Sequence, residues 1–404
     1  MTLDCISLII AIIIFGGWWL QWIIHVTAII YGRIKLHRKL SAPPDFQFPG
    51  VSILKPLTGV DPNLYANLET FFHLLYPKYE ILFCIEEETD PAVMIVKSLL
   101  NKYPNVECSL FVGGALKTTV NPKINNLMQG YIMAKHELIL ISDSGLKMKE
   151  DTLQEMVINL KENVGLVHQL PFVSDRSGFA AVLEKVYFGT QHSKIYLLAN
   201  MVGVNCVTGM SCLFRKSVVE QSGGFESLGI YLAEDYYLSQ ICFYNCSCNS
   251  GWKVKVSTQP ALQNSGTYSI GTFQNRMIRW IKLRSFLVPM TIIMEPLSEW
   301  LLLGLISSWA VCRLFMWSPI AFFLVHTLIW FLLDYTLLLT IQGCNLPFSR
   351  IDFVAGWLFR ECTSLLLMLR AHTVRTLTWR SRQYIIGRHT IGEEIRKVHD
   401  WTAV

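Results

Sequence analysis

The chain has 404 residues, with Lys+Arg 35 against Asp+Glu 30 and a formal net charge of +5. At roughly 150 residues per domain it accommodates two to three units, and so small and dispersed a charge excess excludes a nucleic-acid binder. Charged residues make up only 16% and hydrophobic residues 52%, against about 25% charge in a typical soluble domain, so part of the chain belongs in lipid; disorder, collagen and a secreted disulfide scaffold are excluded.

Residues 5–31 contain no Asp, Glu, Lys or Arg. About 20 apolar residues cross a bilayer core as a helix. The start at Asp4 is not basic and no small-x-small site follows, so residues 1–32 read as a retained membrane anchor rather than a signal peptide. Arg33, Lys35, Arg38 and Lys39 follow it, and the positive-inside rule places that flank in the cytosol.

Residues 43–284 have the dispersed charge and turn punctuation of a globular domain. Short β-branched runs at 51–54, 81–85 and 138–142 predict strands, with two more at 165–171 and 207–215. Helical patterns lie between them at 63–75, 92–102 and 124–134. Buried strands alternating with helices predict an α/β fold with a mostly parallel sheet. Beyond Arg284 the apolar density returns, and residues 285–372 read as a C-terminal membrane region. Residues 314–333 are uncharged and long enough to span. The stretch 292–312 carries Glu295 and Glu299, and 353–369 is interrupted by Arg360 and Glu361, charges that are costly at depth unless paired. The last segment, 373–404, is a basic tail. The 11 cysteines are scattered, as free thiols in a reducing compartment are; Cys242, Cys246 and Cys248 lack the spacing of a zinc site.

Ligands of such sheets bind beyond the carboxyl ends of strands. Lys55, Asp90 and Asp143 stand at three predicted strand ends, and together they suggest a pocket for an anionic nucleotide and a divalent cation. Each acid alone is also ordinary turn chemistry. Glu234 and Asp235 begin a predicted helix, where they either favour the helix dipole or take a proton from an attacking hydroxyl. Arg276 and Arg279 share one helical face, suited to membrane-surface charge or to phosphates, with Trp280 beside them. Between these motifs, residues 187–204 are apolar but contain His192 and Lys194, as an interfacial wall does; His192 is either an acceptor-binding group or a structural histidine. No Walker or dinucleotide glycine loop is present.

In this order, Asp90, Asp143, Glu234-Asp235 and Arg276 to Trp280 resemble the D, D, D and (Q/R)-x-x-R-W signature of inverting, membrane-bound family 2-like glycosyltransferases. Longer strings, including LKPLTGVDPNL, NPKINNLM, CVTGMSC, AEDYYL and RMIRW, are similar to the ceramide glucosyltransferase family over nearly the whole chain. The resemblance implies a glycosyltransferase-A fold with membrane helices at both ends, UDP-glucose as donor, ceramide as acceptor and a Golgi membrane with a cytosolic site. It implies Asp235 as general base, Asp143 as ligand of Mg²⁺ or Mn²⁺, and Asp90 on the uridine side. Arg276, Arg279 and Trp280 would hold the leaving UDP, while Lys55, Asn121, Lys123 and Asn125 would line the nucleotide pocket. Residues 243–250 read as an insert relative to the family. Another membrane glycosyltransferase of the same fold (dolichyl-phosphate, sterol or processive type) and a non-catalytic lipid-binding or transport protein are the alternatives.

Overall fold

The apolar N-terminal stretch forms one helix, α1 (Thr2–Lys35), whose last turn carries Arg33 and Lys35. The structure is a computed structural model that describes residues 2–113, 119–244, 252–266, 268–373, 376–379, 382–386 and 392–394. Most of the proposed 243–250 insert, with Asn245, Cys246 and Cys248, lies outside the described residues.

The globular part runs β1 (Val51–Leu57), α2 (Leu64–Glu69), β2 (Tyr79–Ile85), α3 (Ala92–Lys102), β3 (Cys108–Val112), α4 (Pro122–Met133) and β4 (Leu138–Ser142). It continues through β5 (Leu146–Lys147), α5 (Thr152–Asn159), β6 (Val164–His168), α6 (Phe179–Tyr187), α7 (Ser193–Val202), β7 (Ser211–Arg215) and α8 (Lys216–Glu220). After α9 (Glu234–Tyr244), β8 (Lys253–Val256) and β9 (Leu262–Gln263) comes the long helix α10 (Ile270–Leu287). Seven strands form one sheet in the order β3-β2-β1-β4-β7-β6-β8. β3, β2, β1 and β4 pair in parallel, and β7 is antiparallel to both its neighbours. Strand β1 is buried along its whole length, as expected of a strand covered on both faces.

The chain walks outward from β1 through β2 to β3, then returns to place β4 on the other side of β1. The strand order therefore reverses between β1 and β4, and a crevice opens beyond their carboxyl ends. The register pairs Leu54 with Ile141, which brings Lys55 level with Ser142 and Asp143 just past the sheet. Ile53, Phe83 and Leu140 pack into one core face, and Leu54, Leu82 and Ile141 into the other, as the two-residue side-chain period requires.

The C-terminal region contains α11 (Thr291–Leu297), α12 (Trp300–Phe315), α13 (Pro319–Gln342) and α14 (Arg350–Thr373), followed by β10 (Thr376–Trp379), β11 (Arg382–Ile386) and β12 (Gly392–Glu394). Among the described residues two helices are long and apolar enough to cross a membrane, α1 and α13, and the pair α11–α12, bent by 75°, makes up to a third. The expected span at 314–333 is displaced. Met316 takes a left-handed φ of 58° at the end of α12, and the Ser318 hydroxyl accepts from the Ala321 N–H to start a new helix. That shift brings Asp334 inside the span.

The charges that looked costly in the sequence find one another. Asp334 lies 3.2 Å from His25 of α1 and 3.6 Å from Arg360 of α14, and the Trp357 indole donates to it at 2.8 Å. Arg360 also pairs with Glu361 and stands 3.9 Å from Glu299. Buried ions persist only when paired in this way. The cluster ties α1, α12, α13 and α14 into one bundle.

Candidate active site

Lys123 is the centre of the crevice. Asn121 caps α4, its side-chain oxygen accepting from the Lys123 and Ile124 N–H groups, and Pro122 occupies the first turn, where its missing N–H costs nothing. This fixes Lys123 with its ammonium 3.0 Å from Asp143 Oδ1, 3.1 Å from Glu234 Oε1 and 3.0 Å from the Gly209 carbonyl. One side chain thus joins the end of β4, the loop before β7 and the start of α9. The Asn121 amide donates to Glu234 at 3.0 Å and to the Tyr231 carbonyl at 2.8 Å, which orients the acid. The neighbouring carboxylates hold the Lys123 ammonium in its charged form against the opposing effect of burial.

Asp235 is next to Glu234 on α9. Its Oδ2 accepts the Gly209 N–H at 2.8 Å and its Oδ1 accepts its neighbour Tyr236 N–H at 2.9 Å. Burial, then the adjacent Glu234 charge, pushes its carboxyl up to about 6, with Lys123 pulling the other way. A carboxylate that titrates near the working pH is suited to accept a proton. Lys55 lies fully buried beneath the site, donating to the Ser142 hydroxyl at 3.2 Å and to the Asp143 carbonyl at 2.8 Å, with its ammonium 3.9 Å from the Phe71 ring. Burial pulls its pKa down to about 7, opposed by Asp143.

Asn125 grips Thr119, accepting from its N–H and hydroxyl and donating to its carbonyl. Asp90 is occupied differently from a free ligand: its two oxygens accept the backbone N–H groups of Gly59 (2.7 Å) and Ala92 (2.8 Å). It therefore clamps the loop after β1 to the start of α3, at the edge of the crevice.

Trp280 and His192 form the opposite wall. The segment Phe188–His192 is a π-helical turn between α6 and α7, a feature common at functional sites. Gly189 lets α13 approach closely there: a Cβ would stand 2.1 Å from Leu338 Cδ1 and force that side chain to move. The extra residue in the turn presents His192 to Trp280, the rings stacked 5.3 Å apart, with Tyr196 at 4.7 Å. Burial, reinforced by Arg284 and Arg276, keeps the imidazole neutral. Trp280 also packs near Leu146 and Met210, the residues flanking Asp143.

Arg276 pairs with the buried Glu184 at 2.9 Å, donates to Gln263 at 2.7 Å and lies 4.5 Å from the Trp280 ring. Glu184 also pairs with Arg176. Two arginines on one carboxylate leave a net positive charge on this wall. Arg279 is partly buried on the same helix. Glu184 and Arg176 are absent from the sequence reading. Glu184 interrupts an apolar face of α6 and is fully buried, and a buried acid in such a helix signals a partner.

Lys55, Asn121, Lys123, Asp143, Glu234 and Asp235 thus converge on one point, while Asp90 and Asn125 secure the loops around it. The small-residue stretch Thr208 to Ser211 also matters. A Cβ on Gly209 would stand 2.9 Å from Asp235 Cβ and 3.3 Å from Lys123 Nζ. Gly209→Ala is therefore expected to displace the Asp235 carboxylate and lower turnover by about 100-fold. An unchanged kcat would remove Gly209 from the machinery.

A mostly parallel sheet with carboxylates gathered beyond its switch point is the glycosyltransferase-A fold. A mannosyltransferase from Pyrobaculum calidifontis, solved in complex with GDP-Man and Mn2+, has a similar fold: TM-score 0.50 and 17% identity, covering 90% of this chain and 99% of that one. The chain belongs to glycosyl transferase family 21, whose model matches residues 20–391. It is similar to ceramide glucosyltransferase 3 of Caenorhabditis elegans, 39% identical over 94% of this chain and 81% of the relative. Ceramide glucosyltransferase 1 of the same organism is also 39% identical, over 90% and 77%. The ceramide glucosyltransferase of Komagataella phaffii is 27% identical over 93% of this chain and 90% of its own length.

Proposed function

We propose that the protein transfers glucose from UDP-glucose to the primary hydroxyl of ceramide, with inversion, giving β-glucosylceramide. The observation that carries this reading is the cluster around Lys123: a half-exposed acid, Asp143, paired with its ammonium, and a partly buried acid with raised pKa, Asp235, within reach of the same charge. Kinship with ceramide glucosyltransferases at 39% identity supplies the donor and acceptor.

Direct displacement needs a base on one side of the anomeric carbon and charge stabilisation on the other. The acceptor oxygen forms the new bond to the anomeric carbon and gives its proton to Asp235. The bond to the β-phosphate oxygen breaks, and its electron pair leaves with UDP. One displacement converts an α-linked donor into a β-glucoside. Arg276, Arg279 and Trp280 are assigned to the diphosphate wall, where fixed donors oppose developing charge. Lys55, Asn121, Lys123, Asn125 and Asp90 are assigned to shaping the nucleotide side, Asp90 through the Gly59 loop that it clamps. His192 and Trp280 exclude water from the acceptor side.

The donor set suits a hard divalent cation. Asp143, Glu234 and Asp235 share one Lys123 ammonium, and Asp143, the outermost, has 43% of its side chain exposed. Among the described residues no three acids, imidazoles or thiols stand as a ready-made metal cage, which suits Mg²⁺ or Mn²⁺ held by one carboxylate and the oxygens of a phosphate substrate. Asp143 would hold the ion, and the ion would neutralise charge on the departing diphosphate.

Ceramide stays in the bilayer because each exposed CH₂ costs about 0.8 kcal/mol. Helices α1 and α13 hold the site against that surface. The basic residues at the end of α1 favour a cytosolic site, and we assign the enzyme to the Golgi membrane. The test is transfer in liposomes, with UDP-glucose and UDP-galactose each offered to ceramide, diacylglycerol and dolichyl phosphate, with and without EDTA. The expected product is glucosylceramide with a β-anomeric NMR coupling, lost in EDTA and restored by Mg²⁺ or Mn²⁺. No glucosylceramide under any metal condition overturns the reading.

A further inference from the structure

A second cavity lies between the π turn, α10, α11 and α14. One wall is apolar, built by Phe273, Met277 and Ile281 of α10 with Leu367 and Met368 of α14. The other is polar: Gln191, whose amide donates to Ser298 at 2.8 Å, and Arg284, whose guanidinium donates to Glu295 at 2.6 Å.

We propose that this cavity is the acceptor chamber. Its apolar wall takes a hydrocarbon chain, and Gln191 with the Arg284–Glu295 pair meets the polar amide-and-hydroxyl region of the lipid. The inference rests on the lipid-acceptor reading above and adds to it where the lipid sits and which side chains select it.

Three observations carry it. Packed aromatic rings link the cavity wall to the reaction centre. Tyr187 lines the cavity and stands 5.5 Å from His192, which stacks on Trp280; Tyr196, beside His192, donates to the Val207 carbonyl, two residues before Gly209. The same aromatic cluster holds an unmet hydrogen-bonding group: His192 is 4% exposed and its Nε2 has no partner among the described residues. A buried polar atom of this kind calls for a ligand or water.

The third observation is the edge of the cavity. Phe286, Val288, Met290, Ile292, Ile293 and Met294 are all at least 40% exposed, and they run without a break from the last turn of α10 into α11. A contiguous apolar surface of this kind marks contact with lipid or a partner. Here it borders Arg284 and Glu295, and the membrane helices α12 and α13 follow directly, so a bilayer lipid is the occupant it fits. A chain can pass from the bilayer over this edge into the cavity, with its head group already facing the aromatic wall.

The test uses the full chain in lipid nanodiscs. Leu367→Trp narrows the chamber and Leu367→Ala with Met368→Ala widens it; neither residue contacts the Lys123 cluster. Narrowing should raise KM for long-chain ceramide about tenfold, leaving kcat and the KM for UDP-glucose and short-chain ceramide unchanged. Widening should move the preference toward longer chains. In parallel, a ceramide bearing a photoactivatable group in its acyl chain should label α10 and α14 and be competed by unlabelled ceramide. Equal effects on every substrate, or labelling confined to other helices, overturn the chamber. Labelling at α10 and α14 without glucosylceramide synthesis supports the chamber and overturns the assigned activity instead.

Discussion

Asp235→Asn is expected to lower kcat by about 10²–10⁴-fold, the usual contribution of a positioned general base, while UDP binding stays close to wild type. The side chain remains nearly isosteric, and its single oxygen can still accept one of the two N–H groups, from Gly209 or Tyr236, that the carboxylate holds. The amide cannot take a proton from the acceptor, and this loss dominates. Steady-state rates with ceramide and calorimetric titration with UDP separate the two effects. Loss of both together would make Asp235 a nucleotide-site residue.

The same carboxylate sets a pH profile. Asp235 must be ionised to act as base, and burial with the Glu234 charge raises it to about 6. Turnover should therefore be full well above pH 6 and fall as pH drops through that value. Glu234→Gln removes one neighbouring negative charge, so the acid limb should move to lower pH. A limb that moves upward, or not at all, breaks the assignment of that limb to Asp235.

The sheet could be read from sequence where apolar runs end abruptly in polar residues. β2 and β4 do so at Glu86 and Asp143, and the resulting switch point follows from alternation with helices; β1 instead runs past its predicted end at residue 54 to Leu57, so Lys55, expected at the strand end, is buried inside the strand. β8 was not read, because Lys253 to Val256 alternates Lys with Val and lies at the sheet edge, where no continuous apolar run is needed. β3, at the opposite edge, is only partly buried.

The chemistry-bearing residues were legible singly, and their connections were not. Lys123 appears in sequence as one member of a pocket string. Its contacts with Asp143, Gly209 and Glu234 are 20, 86 and 111 residues away, distances no local pattern encodes. Asp90 illustrates the reverse problem. A strand-end carboxylate resembles a ligand until its two backbone N–H partners, Gly59 and Ala92, are located. Arg276, suited in sequence to phosphate, lies over Trp280 and is held there by Glu184, a buried acid on α6 that no local pattern pairs with it. In the membrane region, Glu299, Arg360 and Glu361 were visible as a difficulty. Its solution required Asp334, which entered the bundle only because α13 starts later than its hydropathy predicts.

Lys123→Met should be the most damaging change to stability in the catalytic domain. The ammonium compensates Asp143 and Glu234 directly and Asp235 at slightly longer range. Removing one partner of a buried pair costs about 3–5 kcal/mol, because the remaining charge is left uncompensated. For a domain of this size that corresponds to a fall in melting temperature of roughly 10 °C. The sign with pH is determined by the acids. Asp235 is raised to about 6 with Lys123 pulling the other way, so without that ammonium its folded-state pKa rises further above the unfolded one and the destabilisation is greatest where it is ionised. It should shrink as pH falls towards and below about 6, when Asp235 takes up a proton. Thermal unfolding of the variant from neutral to acid pH measures this directly. Adding Glu234→Gln to Lys123→Met removes one of the uncompensated charges and should recover part of the loss, a coupling that independent sites do not show. A Lys123→Met protein that melts like wild type at neutral pH would show that the three acids do not depend on this ammonium.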